Sequence, residues 1–355
     1  MPHLRDAECV DLHSLGAGPR TLGALALALQ CAPPDARAGR VVRAERARVL
    51  VRAAGSPDPV PARHAGVVAV GDWVVLITRP EPRVHDVVAR GGVFARQAAG
   101  RATAEQVLAS GVDDALVLTS ITSAVSARRL ARFVTLAHDG GITPRIVLAK
   151  ADLLEPEARI TQLQAARAAL PGVAVHVVSA FTGEGLGDVA ALAGPGRTLA
   201  LLGGSGAGKS SLLNALAGRP VAATGEVRHV DGKGRHTTAW RELVELPGGG
   251  AVIDTPGLRG LALSVDRGGL DATFADVVEL AVDCRFGDCA HTGEPGCAVR
   301  SAVEAGVLDP ERLSAHRKLS AESAWIERRQ DARLRREYRR QWAAKSRDGR
   351  GRARP

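Results

Sequence analysis

The chain has 355 residues, room for two or three domains, and a hydrophobic content of 45% that supplies ordinary cores. Its five cysteines are odd in number and unevenly spaced, which argues against a secreted disulfide scaffold. No run reaches about 18 uncharged apolar residues, which argues against a membrane span. The formal net charge of +9 is concentrated at one end: from Ile326 onward there are 12 Lys or Arg against 4 Asp or Glu. Such an arm suits a polyanion, most readily nucleic acid, and suits equally a solvated tail. Leu22 to Cys31 is apolar but short, and it follows Asp6, Glu8 and Asp11, unlike a basic signal segment. A cytoplasmic location is expected by elimination.

Residues 1–39 carry one short helical pattern, Thr21 to Gln30, which Pro33-Pro34 would stop. From Arg40 to about Arg90 the texture is that of strands: Val41-Val42, Arg46 to Val51, and Trp73 to Ile77 after the turn at Gly71-Asp72. Short strands separated by turns predict a small β-barrel, of the oligonucleotide-binding (OB) or the SH3-like type. After about residue 105 strands and helices alternate. Asp114 to Leu118, Arg145 to Leu148, Val173 to Val178 and Thr198 to Leu202 read as strands; Ala127 to Asp139 and Glu155 to Leu170 read as helices. This rhythm predicts a mostly parallel sheet covered on both faces, with ligands beyond the carboxyl ends of its strands.

Gly203-Gly204-Ser205-Gly206-Ala207-Gly208-Lys209-Ser210 fills a phosphate-loop pattern, with a strand before it and a helix continuing from Ser211 through Leu216. Its glycines let backbone N–H groups crowd around phosphate oxygens, and the helix N-terminus adds favourable partial charge. Lys209 is expected to reach the β- and γ-phosphates and Ser210 to ligate Mg²⁺. Val252-Ile253-Asp254-Thr255-Pro256-Gly257 reads as a strand ending in a switch: Asp254 for the Mg²⁺ shell, the Gly257 N–H for the γ-phosphate. Between them lies Gly234-Arg235-His236-Thr237-Thr238, where either Thr237 or Thr238 would complete the Mg²⁺ shell. Leu258 follows Gly257 and cannot orient water by hydrogen bonding, which leaves His236 or a partner to do so.

Ala149-Lys150-Ala151-Asp152 is a degenerate base-recognition element. Asp152 would accept from guanine N1 and N2, the Lys150 stem would lie along the base, and Ser179-Ala180 offers a backbone N–H for guanine O6. Guanine is favoured over adenine, although Ala149 cannot hydrogen-bond. This element precedes the phosphate loop, the reverse of the order in an ordinary small GTPase, so the domain reads as circularly permuted.

Cys284-x₄-Cys289-x-His291-x₅-Cys297 brings three thiols and an imidazole together, a suitable tetrahedral set for one structural Zn²⁺. Buried cysteines with a surface His, a redox cluster and an iron–sulfur site are the alternatives. Pro310 to Leu319 and Glu322 to Arg340 read as helices, the second dense in Arg with Trp325, Tyr338 and Trp342 interleaved. That pattern fits phosphate pairing and base stacking, or docking on the protein's own surface.

From about Arg40 to Leu319 the chain resembles the circularly permuted GTPases of the ribosome small subunit-dependent GTPase A (RsgA) family. The resemblance lies in Gly71-Asp72-Trp73-Val74, Glu105-Gln106-Val107-Leu108, the permuted motif order, Gly234-Arg235-His236-Thr237-Thr238, the four metal-ligand positions and Glu294-Pro295-Gly296-Cys297-Ala298-Val299. It implies an OB-type β-barrel, a central circularly permuted P-loop α/β GTPase domain and a C-terminal, mainly helical zinc-binding domain. It also implies a late maturation factor for the small (30S) ribosomal subunit, with hydrolysis stimulated by that subunit and His236 helping to activate water. Where the resemblance implies Asn the chain has Ala149 and Gly111; where it implies Tyr it has His316.

The expected organisation is an N-terminal extension (1–39), an OB-type barrel (40–95), the permuted GTPase domain (96–275), a zinc-binding domain (276–320) and a basic helical arm with a disordered tail (321–355). The expected function is GTP hydrolysis to GDP and phosphate by a monomer, with Mg²⁺ and one structural Zn²⁺, on the small subunit and its rRNA. Its rivals are an RNA-binding assembly protein that holds nucleotide with little hydrolysis, and an ATPase.

Overall fold

The computed structural model describes residues 4–45, 48–97, 105–222, 242–254 and 268–330. The chain opens with two helices, α1 (Asp6–Ser14) and α2 (Pro19–Gln30), then five strands: β1 (Ala36–Ala44), β2 (Arg48–Ala53), β3 (Val60–Arg63), β4 (Trp73–Ile77) and β5 (Arg83–Val87). Strand pairings run β1–β2–β3–β5–β4 and return from β4 to β1. Alternation within β4 explains its unbroken apolar run. Val74 and Leu76 pack with Val41, Val49, Val51 and Ala62 inside the circuit, whereas Trp73 and Val75 face Leu12, Leu15, Leu25 and Leu29 of the N-terminal segment. The opening helices thus cover one outer face of the strand circuit; α2 contains the helical pattern expected at Thr21 to Gln30, whereas α1 was not expected from patterning.

A hairpin of β6 (Phe94–Gln97) and β7 (Glu105–Ala109) leads to the α/β region. In chain order this comprises β8 (Asp114–Ser120), α3 (Ala127–Asp139), β9 (Thr143–Ala149), α4 (Pro156–Ala169), β10 (Val175–Val178), α5 (Leu186–Leu192), β11 (Thr198–Gly203), α6 (Lys209–Ala217), β12 (Glu242–Glu245) and β13 (Ala251–Asp254). The sheet order is β10-β9-β8-β11-β13-β12; all neighbours are parallel except β12 with β13. Helix α3 shows why its segment folds as it does. The Ser126 hydroxyl caps its start by accepting from the Arg129 N–H, Leu130, Phe133, Val134 and Ala137 form one buried stripe, and Gly140 ends it.

Four helices follow: α7 (Gly268–Thr273), α8 (Ala275–Ala281), α9 (Ala298–Glu304) and α10 (Pro310–Gln330). Patterning predicts a break near residue 320, but α10 runs through it. Ala315, Leu319, Ser323 and Ile326 stay buried along a single stripe, so packing holds the helix together across the charged segment. Arg312 fastens α10 to the rest. Its guanidinium donates to both Asp276 carboxylate oxygens (2.5 and 2.6 Å), to the Thr273 carbonyl (2.9 Å) and to the Ala169 carbonyl at the end of α4 (2.9 Å). Among the described residues, no helix is long and apolar enough to cross a membrane.

Candidate functional site

The sheet reverses its direction of growth at β11. From there β8, β9 and β10 extend one way, and β13 with β12 the other. In an open α/β sheet the crevice outside the carboxyl ends at such a reversal is where ligands bind. Here β11 is buried along its whole length and delivers Gly203 into the loop that closes with α6. Gly208 caps α6 at φ +96°, which favours glycine, and a Cβ there would lie in tight contact, 3.3 Å from the Cβ of Ala149. The Lys209 ammonium folds back over the loop, donating to the carbonyls of Gly203 (3.0 Å) and Gly204 (2.8 Å). Ser205 and Gly206 are exposed, Ala207 is buried beneath them, and Ser210 and Ser211 lie in the first turn of α6. Asp254 ends β13, in register with Leu201 of β11, which sets it at the same edge as the loop.

The base-recognition candidates converge from the two neighbouring strand ends. Ala149 ends β9 opposite Val178, which ends β10. Lys150 then takes a left-handed conformation (φ 66°), uncommon for a residue with a side chain, and turns the chain into the short 3₁₀ helix Ala151–Leu153. Across from it, the buried Ser179 hydroxyl donates to the Asp152 carboxylate (2.5 Å) and accepts from the N–H groups of Phe181 (3.2 Å) and Thr182 (3.1 Å). One serine therefore fixes both the acid and the turn that presents Ala180. A bridge from Arg159 to Glu184 (3.0 Å) holds the same turn against α4. His236, Thr237, Thr238 and Gly257 lie outside the described residues.

Asn214 was not singled out by sequence reasoning, yet it ties α6 to the residues that follow it. It accepts from the N–H groups of Val221 and Ala222 (both 2.8 Å) and donates to the Ala222 carbonyl (2.9 Å). A polar residue in the middle of an otherwise apolar helical run was the available signal.

The metal-ligand candidates also converge. The four ligand atoms of Cys284, Cys289, His291 and Cys297 all lie within 4.8 Å of one another. The sulfurs of Cys284 and Cys297 are 4.0 Å apart, and His291 Nδ1 is 3.7 and 3.4 Å from them. Zinc–ligand bond lengths in a tetrahedron give edges of about 3.8 Å between sulfurs and about 3.6 Å from nitrogen to sulfur. The donor set suits Zn²⁺ in chemistry, and Cys284, His291 and Cys297 match it in spacing, with Cys289 within 4.8 Å of each. His291 is held at φ 57°. The loop around it is organised by Glu294, whose carboxylate accepts from the N–H groups of Thr292 (2.7 Å), Gly293 (3.0 Å) and Ala290 (3.2 Å). The backbone N–H groups of Gly293, of Glu294 itself and of Thr292 hold its carboxyl down to about 2. Sequence reasoning gave Glu294 no role, although its place between the third and fourth ligands was a usable signal.

A phosphate loop at the reversal point, a candidate base element two strands away that comes earlier in the chain, and a Cys/His cluster that could hold a metal ion are the marks of a circularly permuted GTPase. A family model described as RsgA GTPase matches residues 87–264. The small ribosomal subunit biogenesis GTPase RsgA of Streptomyces avermitilis is 44% identical over 88% of this chain and 86% of its own. Of solved structures, YjeQ from Thermotoga maritima superposes with a TM-score of 0.60 at 23% identity, covering 81% of this chain and 98% of that one, a likeness of fold. YloQ, described as a circularly permuted GTPase, gives 0.58 at 27% identity, covering 81% and 95%. The chain belongs to the RsgA GTPase family.

Proposed function

We propose that this chain hydrolyses GTP to GDP and phosphate as a biogenesis factor of the small ribosomal subunit. The observation that carries the reading is the meeting of the phosphate loop and the base-recognition turn at one sheet edge, in a chain 44% identical to a small ribosomal subunit biogenesis GTPase. Lys209 and the loop N–H groups from Gly203 to Ser211 hold the phosphates, and Ser210 and Asp254 would hold Mg²⁺, which supplies charge neutralisation on the β- and γ-phosphates. Lys150, Asp152, Ser179 and Ala180 receive guanine. His236, with Thr237 or Thr238 and the Gly257 N–H, responds to the γ-phosphate and orients water, which Leu258 cannot do.

The closed circuit of β1 to β5 supports an OB-type barrel as a contact surface for rRNA. Structural zinc in the Cys284, Cys289, His291, Cys297 set would stabilise the C-terminal lobe, whose basic arm adds phosphate contacts. Action at a late maturation step, a monomeric state and a cytoplasmic location complete the reading.

Steady-state phosphate release from GTP and from ATP, with and without purified small subunits, tests it. Stimulation with GTP alone is expected. Equal turnover with and without subunits removes the ribosome-dependent reading, and preference for ATP removes the guanine assignment. Replacing His236 with Ala should abolish turnover while nucleotide binding persists; unchanged turnover would favour a passive nucleotide-binding assembly protein.

A further inference from the structure

Phe181 is the most exposed large apolar side chain among the described residues: 90% of its surface is open to solvent. It does not lie on a tip remote from function. Its backbone N–H is bound to the Ser179 hydroxyl, which in turn donates to Asp152, so Phe181 stands two hydrogen bonds from the carboxylate assigned to the base. The turn that carries it is fixed by Ser179 (the Thr182 N–H is a second donor to that hydroxyl) and by the Arg159–Glu184 bridge. Among the described residues this ring stays open to solvent, on a braced turn beside the residues proposed to receive a planar base.

From this geometry we infer that Phe181 stacks on the purine of the bound nucleotide, facing the Lys150 stem across the base plane. The inference rests on the base-recognition reading given above. Stacking also answers a need particular to this chain. Ala149 gives the base no hydrogen bond, and an aromatic face restores affinity without restoring that contact. A stack reads any purine, so Phe181 sets how tightly nucleotide is held, while Asp152 keeps the choice of guanine. Stacking on an aromatic side chain is worth about 5- to 100-fold in affinity by alanine substitution.

The test uses the full-length, zinc-loaded chain and calorimetric titration of GDP, inosine diphosphate and inorganic pyrophosphate. Phe181→Ala should weaken both nucleoside diphosphates by the same factor, within about 5- to 100-fold, and leave pyrophosphate binding and Tm unchanged. Phe181→Trp should keep GDP affinity, and its added indole fluorescence should be quenched by GDP relative to the parent chain. GDP affinity unchanged in Phe181→Ala overturns the proposal. If that variant instead loses binding to small subunits, the ring, together with exposed Leu153, belongs to a partner-docking surface. Asp152→Asn separates the underlying reading: it should shift preference from GDP to xanthosine diphosphate. If it does not, the base pocket itself is misassigned and the stacking proposal falls with it; if it does while Phe181→Ala binds GDP normally, the stacking proposal fails alone.

Discussion

The guanidinium of Arg40 donates a hydrogen bond of 2.7 Å to the hydroxyl of Thr198, the first residue of the strand that ends in the phosphate loop. Arg40 is fully buried. It also donates to the carbonyls of Leu15, Gly71 (3.2 Å) and Gly111 (3.0 Å), and it lies 4.6 Å over the Trp73 ring. One side chain thereby joins the N-terminal helices, the strand circuit and the GTPase sheet. Burial lowers its pKa to about 9, so it is a cation at neutral pH, stabilised by carbonyl dipoles and an aromatic face. Arg40→Ala leaves several buried acceptors unpaired and should cost about 3 kcal/mol or more, read as a lower urea midpoint. Arg40→Lys should recover only part of it, because three donors from one point cannot reach acceptors spread around a planar fork.

Glu294 makes a separable prediction at the metal loop. Glu294→Gln keeps the shape but removes the charge that draws three backbone N–H groups together, and zinc affinity should fall about 10-fold or more, measured by competition with a chromogenic chelator. The sign with pH follows from the depressed carboxyl. Folded, it titrates at about 2 against 4.5 in the unfolded chain, so its contribution is complete above pH 4.5 and is lost as pH falls toward 2. The ratio of wild-type to variant affinity should therefore be constant between pH 6 and pH 8. A ratio that changed across that range would assign the effect to another group.

Gly208 ties the two halves of the nucleotide edge together. Its φ of +96° is costly for any side chain, and its missing Cβ leaves room for Ala149 at the end of β9. Gly208→Ala should weaken GDP binding at least about tenfold and lower stability by about 1 kcal/mol or more. Normal GDP binding by this variant would show that the loop does not need this conformation to hold phosphate.

Much of this was legible because its signals are local. The run from Gly203 to Ser210 and the Cys284–Cys297 spacing need few neighbours to be read, and the Trp73–Ile77 strand and the Ala127–Asp139 helix fall where patterning puts them. What escaped depends on distant partners. Helix α1 has no strong amphipathic stripe and is placed by bonds such as those from Arg52 to Asp11 (2.8 and 3.2 Å). Arg40 reads as one more basic residue in a strand until Thr198, distant in sequence, supplies its partner. Gly111, where the family resemblance implies Asn, sits at φ +63°, a conformation that Asn tolerates and Gly takes freely; the departure is therefore conservative in backbone terms.

Asn214 couples the phosphate-loop helix to the chain entering residues 223–241, the stretch that contains His236, Thr237 and Thr238. Its three bonds fix Val221 and Ala222 relative to the helix that carries Lys209. Asn214→Ala leaves the phosphate loop and the base turn intact, so GDP affinity should stay within about twofold, while the loss of one or more well-formed bonds should lower GTP turnover about tenfold. Asn214→Asp should fall between the two, because a carboxylate accepts from both N–H groups but cannot donate to the Ala222 carbonyl. Single-turnover phosphate release with saturating GTP distinguishes this from a binding defect. If turnover and GDP affinity fell together, Asn214 would be supporting the helix itself rather than the start of the switch.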